Sequence, residues 1–198
     1  MHHFPPFGIT QQGSNYTFCL AAVSDSVTLN LFEKGANQPF LTQTMQPSQE
    51  RFYQTTCHDL PPYFEYTYTL RQGSQTFETL DPYAHHLSSP DTFLEKGSTP
   101  FRSCYYDTPT FDWEDDSMPL HSLLDTVIYE AHVRGFTEHD SCQKAHKSSF
   151  LNLIDKIPHL KKLGITTLEL LPIFEFDETA HPIYGTKGPL CNFWGYST

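Results

Sequence analysis

The hydrophobic pattern changes period partway along the chain, and that change restricts the folds open to it. In FEYTYTLR, Phe64, Tyr66, Tyr68 and Leu70 fall on one side of an extended backbone, with Glu65, Thr67, Thr69 and Arg71 on the other. Strand side chains alternate between faces, so this spacing predicts a strand with one face against a core. SVTLNLF repeats the pattern with Val27, Leu29 and Leu31, and NYTFCLAA before it reads as another apolar strand. Further short strands are predicted near 40–45, 51–57 and 75–79. The intervening EKGANQP, QPSQE, DLPP and RQGS are turn formers. Short strands with this punctuation predict a small, antiparallel, immunoglobulin-like β-sandwich over roughly 10–82.

The alternation then stops. SSPDTFLEKGSTPFRS and TPTFDWEDDSMPLHS are rich in Pro, Ser and Asp and read as a connector, which Phe111 and Trp113 could pin to a domain surface. Beyond it, TVIYEAHV is an apolar run suited to a strand covered on both faces, as in parallel sheets. SSFLNLIDKIPHLKKLG follows, with Phe150, Ile154, Ile157 and Leu160 near helical spacing and Leu151 and Leu153 widening the stripe. Ser148 or Ser149 is the expected N-cap and Gly164 the expected stop, while Pro158 should kink the helix or divide it. ITTLELLP is a second apolar strand. Strand, crossover helix and strand make a βαβ unit with parallel neighbours.

The charge balance narrows the partners. Twelve basic against 23 acidic residues give a formal charge of −11, without the basic footprint that a nucleic acid or an anionic membrane surface requires. A neutral ligand such as a sugar is compatible, and 16 Phe, 11 Tyr and two Trp provide flat faces that can cover a pyranose ring or fill a core. Five widely spaced cysteines without a C-x-x-C pair suit a reducing compartment. MHHFPPFGIT has no signal-peptide pattern and no apolar run approaches a membrane span, so a cytoplasmic chain is expected.

The succession GSNYTF, LDPYA, FDW, VIYEAHVRGFT, FLNLIDKIPHLKKLGITTLELLPIFEFDE and NFWGYST resembles the glycogen debranching enzymes and isoamylases of the α-amylase superfamily. The resemblance implies residues 1–88 as a β-sandwich of the carbohydrate-binding-module type, 89–123 as connector, and 124–198 as the first part of a (β/α)8 TIM barrel. It also implies retaining hydrolysis of α-1,6-glucosidic branch points in glycogen or limit dextrin, by two carboxyl groups about 5 Å apart. No cofactor and no metal are implied. A (β/α)8 barrel takes about 250 residues, or roughly 31 per unit, so the residues from Thr126 onward amount to two strands of eight. The expectation is the opening third of such an enzyme, without its catalytic carboxylates and inactive alone. A non-catalytic carbohydrate-binding or scaffold protein is the alternative from another class. A fragment of a trehalohydrolase or branching enzyme is the alternative within the superfamily.

Tyr196 matches the aromatic that packs against the sugar beside the scissile bond in this family. With Trp194, read first as a packing residue, it forms the candidate substrate-binding set; no residue is assigned as catalytic. Glu130, His132 and Arg134 are expected to hold the structure together through a buried Glu–Arg pair or a His–backbone bond. His132, His139, Cys142 and His146 fit no common structural zinc spacing. Glu175, Asp177 and Glu178 are too close together to straddle a glycosidic bond and read as solvated acids. Phe64, Tyr66 and Tyr68 could form a sugar platform, but their shared face is the expected core.

Overall fold

The computed structural model describes residues 6–49, 51–88, 101–142, 149–178, 183–185 and 188–196. It divides into two compact units, Met1–Thr110 and Phe111–Thr198. In the first, β1 (Gly8–Gln12), β2 (Asn15–Ala21), β3 (Ser26–Phe32), β4 (Leu41–Thr44), β5 (Gln46–Gln49), β6 (Phe52–His58), β7 (Tyr63–Gln72), β8 (Gln75–Thr79), β9 (His86–Leu87) and β10 (Ser103–Tyr106) form two antiparallel sheets. One sheet has the order β1-β2-β6-β5, the other β4-β3-β7-β10-β9. Pro47 lies on edge strand β5 beside a register shift, a place where its missing N–H costs no ladder bond.

The predicted alternation supplies the core. Tyr16, Phe18 and Leu20 of β2 pack with Val27, Leu29 and Leu31 of β3 and with Phe64, Tyr66, Tyr68 and Leu70 of β7. Phe18 meets Phe64 and Tyr66 across the sheets with ring centroids 6.1 and 5.6 Å apart. These aromatics are therefore core, and a sugar platform on the face of Phe64, Tyr66 and Tyr68 is excluded by their burial.

The opposite face of β7 departs from the expectation of a half-buried strand, because Glu65 and Thr67 are buried too. The chain returns after residue 100 to cover Glu65, while Thr67 is met by Glu78 from β8. β10 pairs with the first half of β7 (Tyr63–Tyr66) and β8 with the second (Tyr68–Gln72), so together they occupy one edge of the central strand. Residues 101–106, within the stretch read as connector, thus contribute a strand to the sandwich. Arg102 donates from Nη1 to Glu65 Oε2 (3.1 Å) and to Ala36 O (2.7 Å). Its guanidinium sits 3.7 Å from the centre of the Phe32 ring.

Asp81, from the LDPYA motif, joins the same strands at a second point. Its Oδ2 accepts from the Tyr66 and Tyr68 hydroxyls (2.9 and 3.3 Å), and its Oδ1 from the Tyr83 N–H (2.8 Å). Its own N–H donates to Ser103 Oγ on β10 (2.8 Å). Burial pushes the Asp81 carboxyl above the ordinary carboxylate range, against the pull of those three donors. The Tyr66 and Tyr68 hydroxyls are pushed up in turn, by burial first and by the Asp81 charge second.

The second unit contains β11 (Ile128–Ala131), α1 (Val133–Thr137), α2 (Phe150–Ile154), α3 (Ile157–Lys162), β12 (Thr167–Leu170), β13 (Ile183–Gly185) and β14 (Gly188–Leu190). β11 and β12 are parallel, with Ile128 opposite Thr167 and Ala131 opposite Leu170, as the βαβ reading requires. The crossover is divided as expected. Ser149 caps α2, its Oγ accepting from the Asn152 N–H, and Pro158 lies in the first turn of α3, where no intrahelical N–H is needed.

Gly164 (φ +81°) ends α3. The Ile165 N–H reaches back to Leu160 O (3.1 Å) and the Gly164 N–H to Lys161 O (3.0 Å), the paired bonds of a left-handed helix stop. Open space surrounds the position where a Cβ would stand, so only the backbone conformation resists substitution. Gly164→Ala should cost about 1 kcal/mol, read as a lower denaturation midpoint of the second unit followed by tryptophan emission.

The apolar stripe is corrected by the structure. Leu153 and Leu160 are buried, whereas Phe150, Leu151 and Ile154 of α2 and Ile157 of α3 are exposed. β11, expected to be covered on both faces, leaves Ile128 exposed. Among the described residues no helix is long and apolar enough to cross a membrane. All five cysteines are free thiols, and burial raises those of Cys19, Cys57 and Cys104.

Candidate functional site

In the second unit the loop Asn192–Tyr196 is tied to the C-terminal ends of both parallel strands. At the end of β11, His132 caps α1: its Nδ1 accepts from the Gly135 N–H at 3.1 Å. A ring nitrogen that accepts carries no proton, so the neutral imidazole keeps its hydrogen on Nε2. Nε2 donates to Phe193 O at 2.7 Å, and the two rings stack with centroids 4.4 Å apart. Beyond β12, Gly195 (φ +80°) rests on Phe176 and on the Pro172 carbonyl; a Cβ would stand 3.2 and 3.3 Å from them. No other residue fits there without displacing a ring or backbone.

The loop is also braced internally. Asn192 Oδ1 accepts from the Gly195 N–H (3.2 Å), its Nδ2 donates to Tyr196 O (2.6 Å), and its backbone N–H donates to Glu178 O (2.9 Å). Two exposed rings result: Trp194 is 59% and Tyr196 54% accessible, with centroids 6.2 Å apart and planes at 56°. The exposure of Trp194 does not suit a packing residue. Adjacent aromatic faces of this kind can cover the C–H faces of a sugar. The bracing by Asn192 was missed in the sequence, although N-x-x-G is its signal: an amide acceptor three residues before an N–H.

The other singled-out residues lie elsewhere or do structural work. Glu130 is exposed on β11, so it forms no buried Glu–Arg pair, and His132 makes the backbone bond instead. His139 Nδ1 engages the Ser141 N–H (3.1 Å), Cys142 is buried, and His146 lies outside the described residues. Among the described residues no cluster of three His, Cys, Asp or Glu side chains is placed to hold a metal ion. Glu175 is exposed, and Asp177 and Glu178 are half-buried.

Among the described residues of the first unit, Tyr83, His86, Tyr105, Tyr106 and Asp107 line a groove with aromatic walls. The His86 ring stacks on Tyr106 at 4.0 Å, its Nδ1 hydrogen-bonded to the Tyr106 hydroxyl (3.0 Å). Burial, and then the nearby His85, lower the pKa of His86.

No family model matches the chain. It is 44% identical over 126 residues to the chloroplastic isoamylase 3 of Oryza sativa subsp. japonica, covering 60% of this chain and 16% of that protein. It is 39% identical over 115 residues to a glycogen debranching enzyme of Yersinia pseudotuberculosis, covering 56% of this chain and 16% of that protein. Among solved structures, the pullulanase of Paenibacillus barengoltzii in complex with maltohexaose and α-cyclodextrin matches 88% of this chain and 28% of that one. The TM-score is 0.73 at 25% identity. The pullulanase of Group B Streptococcus matches 88% of this chain and 25% of its own, with a TM-score of 0.69 at 26% identity. The chain is thus similar to isoamylases and glycogen debranching enzymes, over a segment that makes up 16% of the length of the two relatives named.

Proposed function

We propose that this chain is part of an α-glucan debranching enzyme and that its second unit begins the (β/α)8 barrel, with β11 and β12 as the first two strands. In this reading Tyr196 and Trp194 meet the glucan, and hydrolysis of the α-1,6 bond needs carboxylates that the chain does not supply. The carrying observation is the braced loop that holds two exposed rings at the C-terminal ends of two parallel strands. In a (β/α)8 barrel that is the substrate face. The pullulanase structure that this fold resembles holds maltohexaose.

The purified chain should release no reducing ends from branched dextrin; sustained release would overturn the reading of an incomplete site. Maltohexaose should quench Trp194 emission, and Tyr196→Ala should weaken that response on the order of fivefold, about the worth of one aromatic stacking contact. The aromatic groove of the first unit supports a second reading, a non-catalytic sugar-binding module. Retention on an α-glucan gel that is lost in Tyr106→Ala and kept in Tyr196→Ala would favour it over the first.

A further inference from the structure

We propose that His132 is a positioning residue: it latches the 192–196 loop to the end of β11 and so fixes how Trp194 and Tyr196 stand against a sugar. The inference rests on the α-glucan reading above and assigns a role to a residue outside the aromatic pair itself.

One imidazole makes three contacts. Nδ1 accepts from the Gly135 N–H, Nε2 donates to Phe193 O, and the ring face covers the Phe193 ring. The first contact dictates the second. With Nδ1 committed as acceptor, the neutral ring has its hydrogen on Nε2, the tautomer needed for a donor bond to a carbonyl. The helix cap of α1 therefore sets the chemistry that holds the loop.

The second fastening is independent. Gly195 lies against Phe176 and the Pro172 carbonyl, on the side of β12. Trp194 is the single residue between the two fixed points, Phe193 and Gly195. Tyr196 follows directly, with its carbonyl held by Asn192. Backbone clamped on both sides of an exposed ring leaves that ring little beyond its own side-chain torsions. Binding a sugar then requires no ordering of the loop, a cost that association otherwise carries.

Capping and latching can be separated by substitution. Asparagine is a good N-cap and can still accept from the Gly135 N–H, but it is too short to reach Phe193 O as well. His132→Asn therefore keeps the cap and breaks the latch, while His132→Ala loses both. The test uses the full chain with Trp113→Phe, which leaves Trp194 as the sole tryptophan.

In His132→Asn, amide exchange at Gly135 should stay within about twofold of the parent, since the cap survives. Trp194 should gain a fast component in its anisotropy decay. Maltohexaose should bind about five- to tenfold more weakly, the effect of losing one hydrogen bond from a prepared site. His132→Ala should match it in those two readouts and also lose protection at Gly135. An anisotropy decay and a maltohexaose affinity in His132→Asn equal to the parent's would overturn the proposal. If the parent itself ignores maltohexaose while His132→Asn still loosens Trp194, the latch stands and the α-glucan reading falls.

Discussion

Replacing Asp81 with alanine is expected to destabilise the first unit by about 3–5 kcal/mol, because it leaves the Tyr66 and Tyr68 hydroxyls buried without their acceptor and frees the Tyr83 N–H. Each abandoned buried donor costs roughly 1–3 kcal/mol, against a total stability of about 5–15 kcal/mol for a domain of this kind. Both tryptophans lie in the second unit, so urea denaturation of the first is followed through its tyrosines in near-ultraviolet circular dichroism. Asp81→Asn keeps an acceptor for the hydroxyls and should lose far less. An alanine variant with an unshifted midpoint would show that the carboxylate holds nothing together.

The same residue carries a pH signature of unusual sign. Its folded carboxyl titrates above the ordinary range, so the folded chain holds this proton more tightly than the unfolded chain does. Between the two values the folded state binds more protons, and stability from this group rises as pH falls. It is complete below the ordinary carboxylate range and is lost as pH rises through the raised value. The stability of the parent relative to Asp81→Asn should therefore improve on acidification from neutral pH. A difference that stays flat, or moves the other way, would mean that burial does not dominate the carboxyl.

Arg102→Ala is the second large effect expected, about 3–5 kcal/mol, since it strands the buried Glu65 carboxylate without its cation. Glu65 keeps the Gly35 N–H and Tyr63 hydroxyl bonds (3.1 and 3.2 Å), which soften the loss without neutralising the charge. The Ala36 carbonyl and the Phe32 face also lose the guanidinium. Removing both charges together, with Glu65→Gln and Arg102→Met, should cost clearly less than the two single changes summed, because no ion is left unpaired. Additive losses in that double-variant cycle would show that the two side chains act separately.

What could be read from the sequence follows the physics of each signal. Alternation is a local property, so β2, β3 and β7 and the core face of Phe64, Tyr66 and Tyr68 were visible from spacing alone. Caps and stops are equally local: Ser149, Pro158 and Gly164 stand where they were expected. Glu65 was not legible as buried, because its cation Arg102 arrives from more than 30 positions away, inside a stretch with connector composition, while Thr67 is met by Glu78 from β8. For the loop, the family motif pointed to Tyr196. The anchoring by His132 across 61 positions, and by Gly195 on Phe176, depends on pairings that no local pattern encodes. The helical stripe misled for a different reason. The interruption at Asp155–Lys156 separates Ile157 and Leu160 from the α2 stripe, while Phe150 and Ile154 still share a face of α2 and that face is exposed.

The late return of the chain to β7 also dictates where the sandwich can be excised. A cut after residue 88 would spare every strand of the β1-β2-β6-β5 sheet. It would nevertheless strip away the guanidinium that neutralises Glu65, the hydroxyl that receives the Asp81 amide, and the partner along Tyr63–Tyr66. The bared backbone would then invite pairing with other copies. An excision meant to keep these contacts has to run through Tyr106, since Arg102, Ser103 and β10 close the sandwich although they lie in a stretch with connector composition.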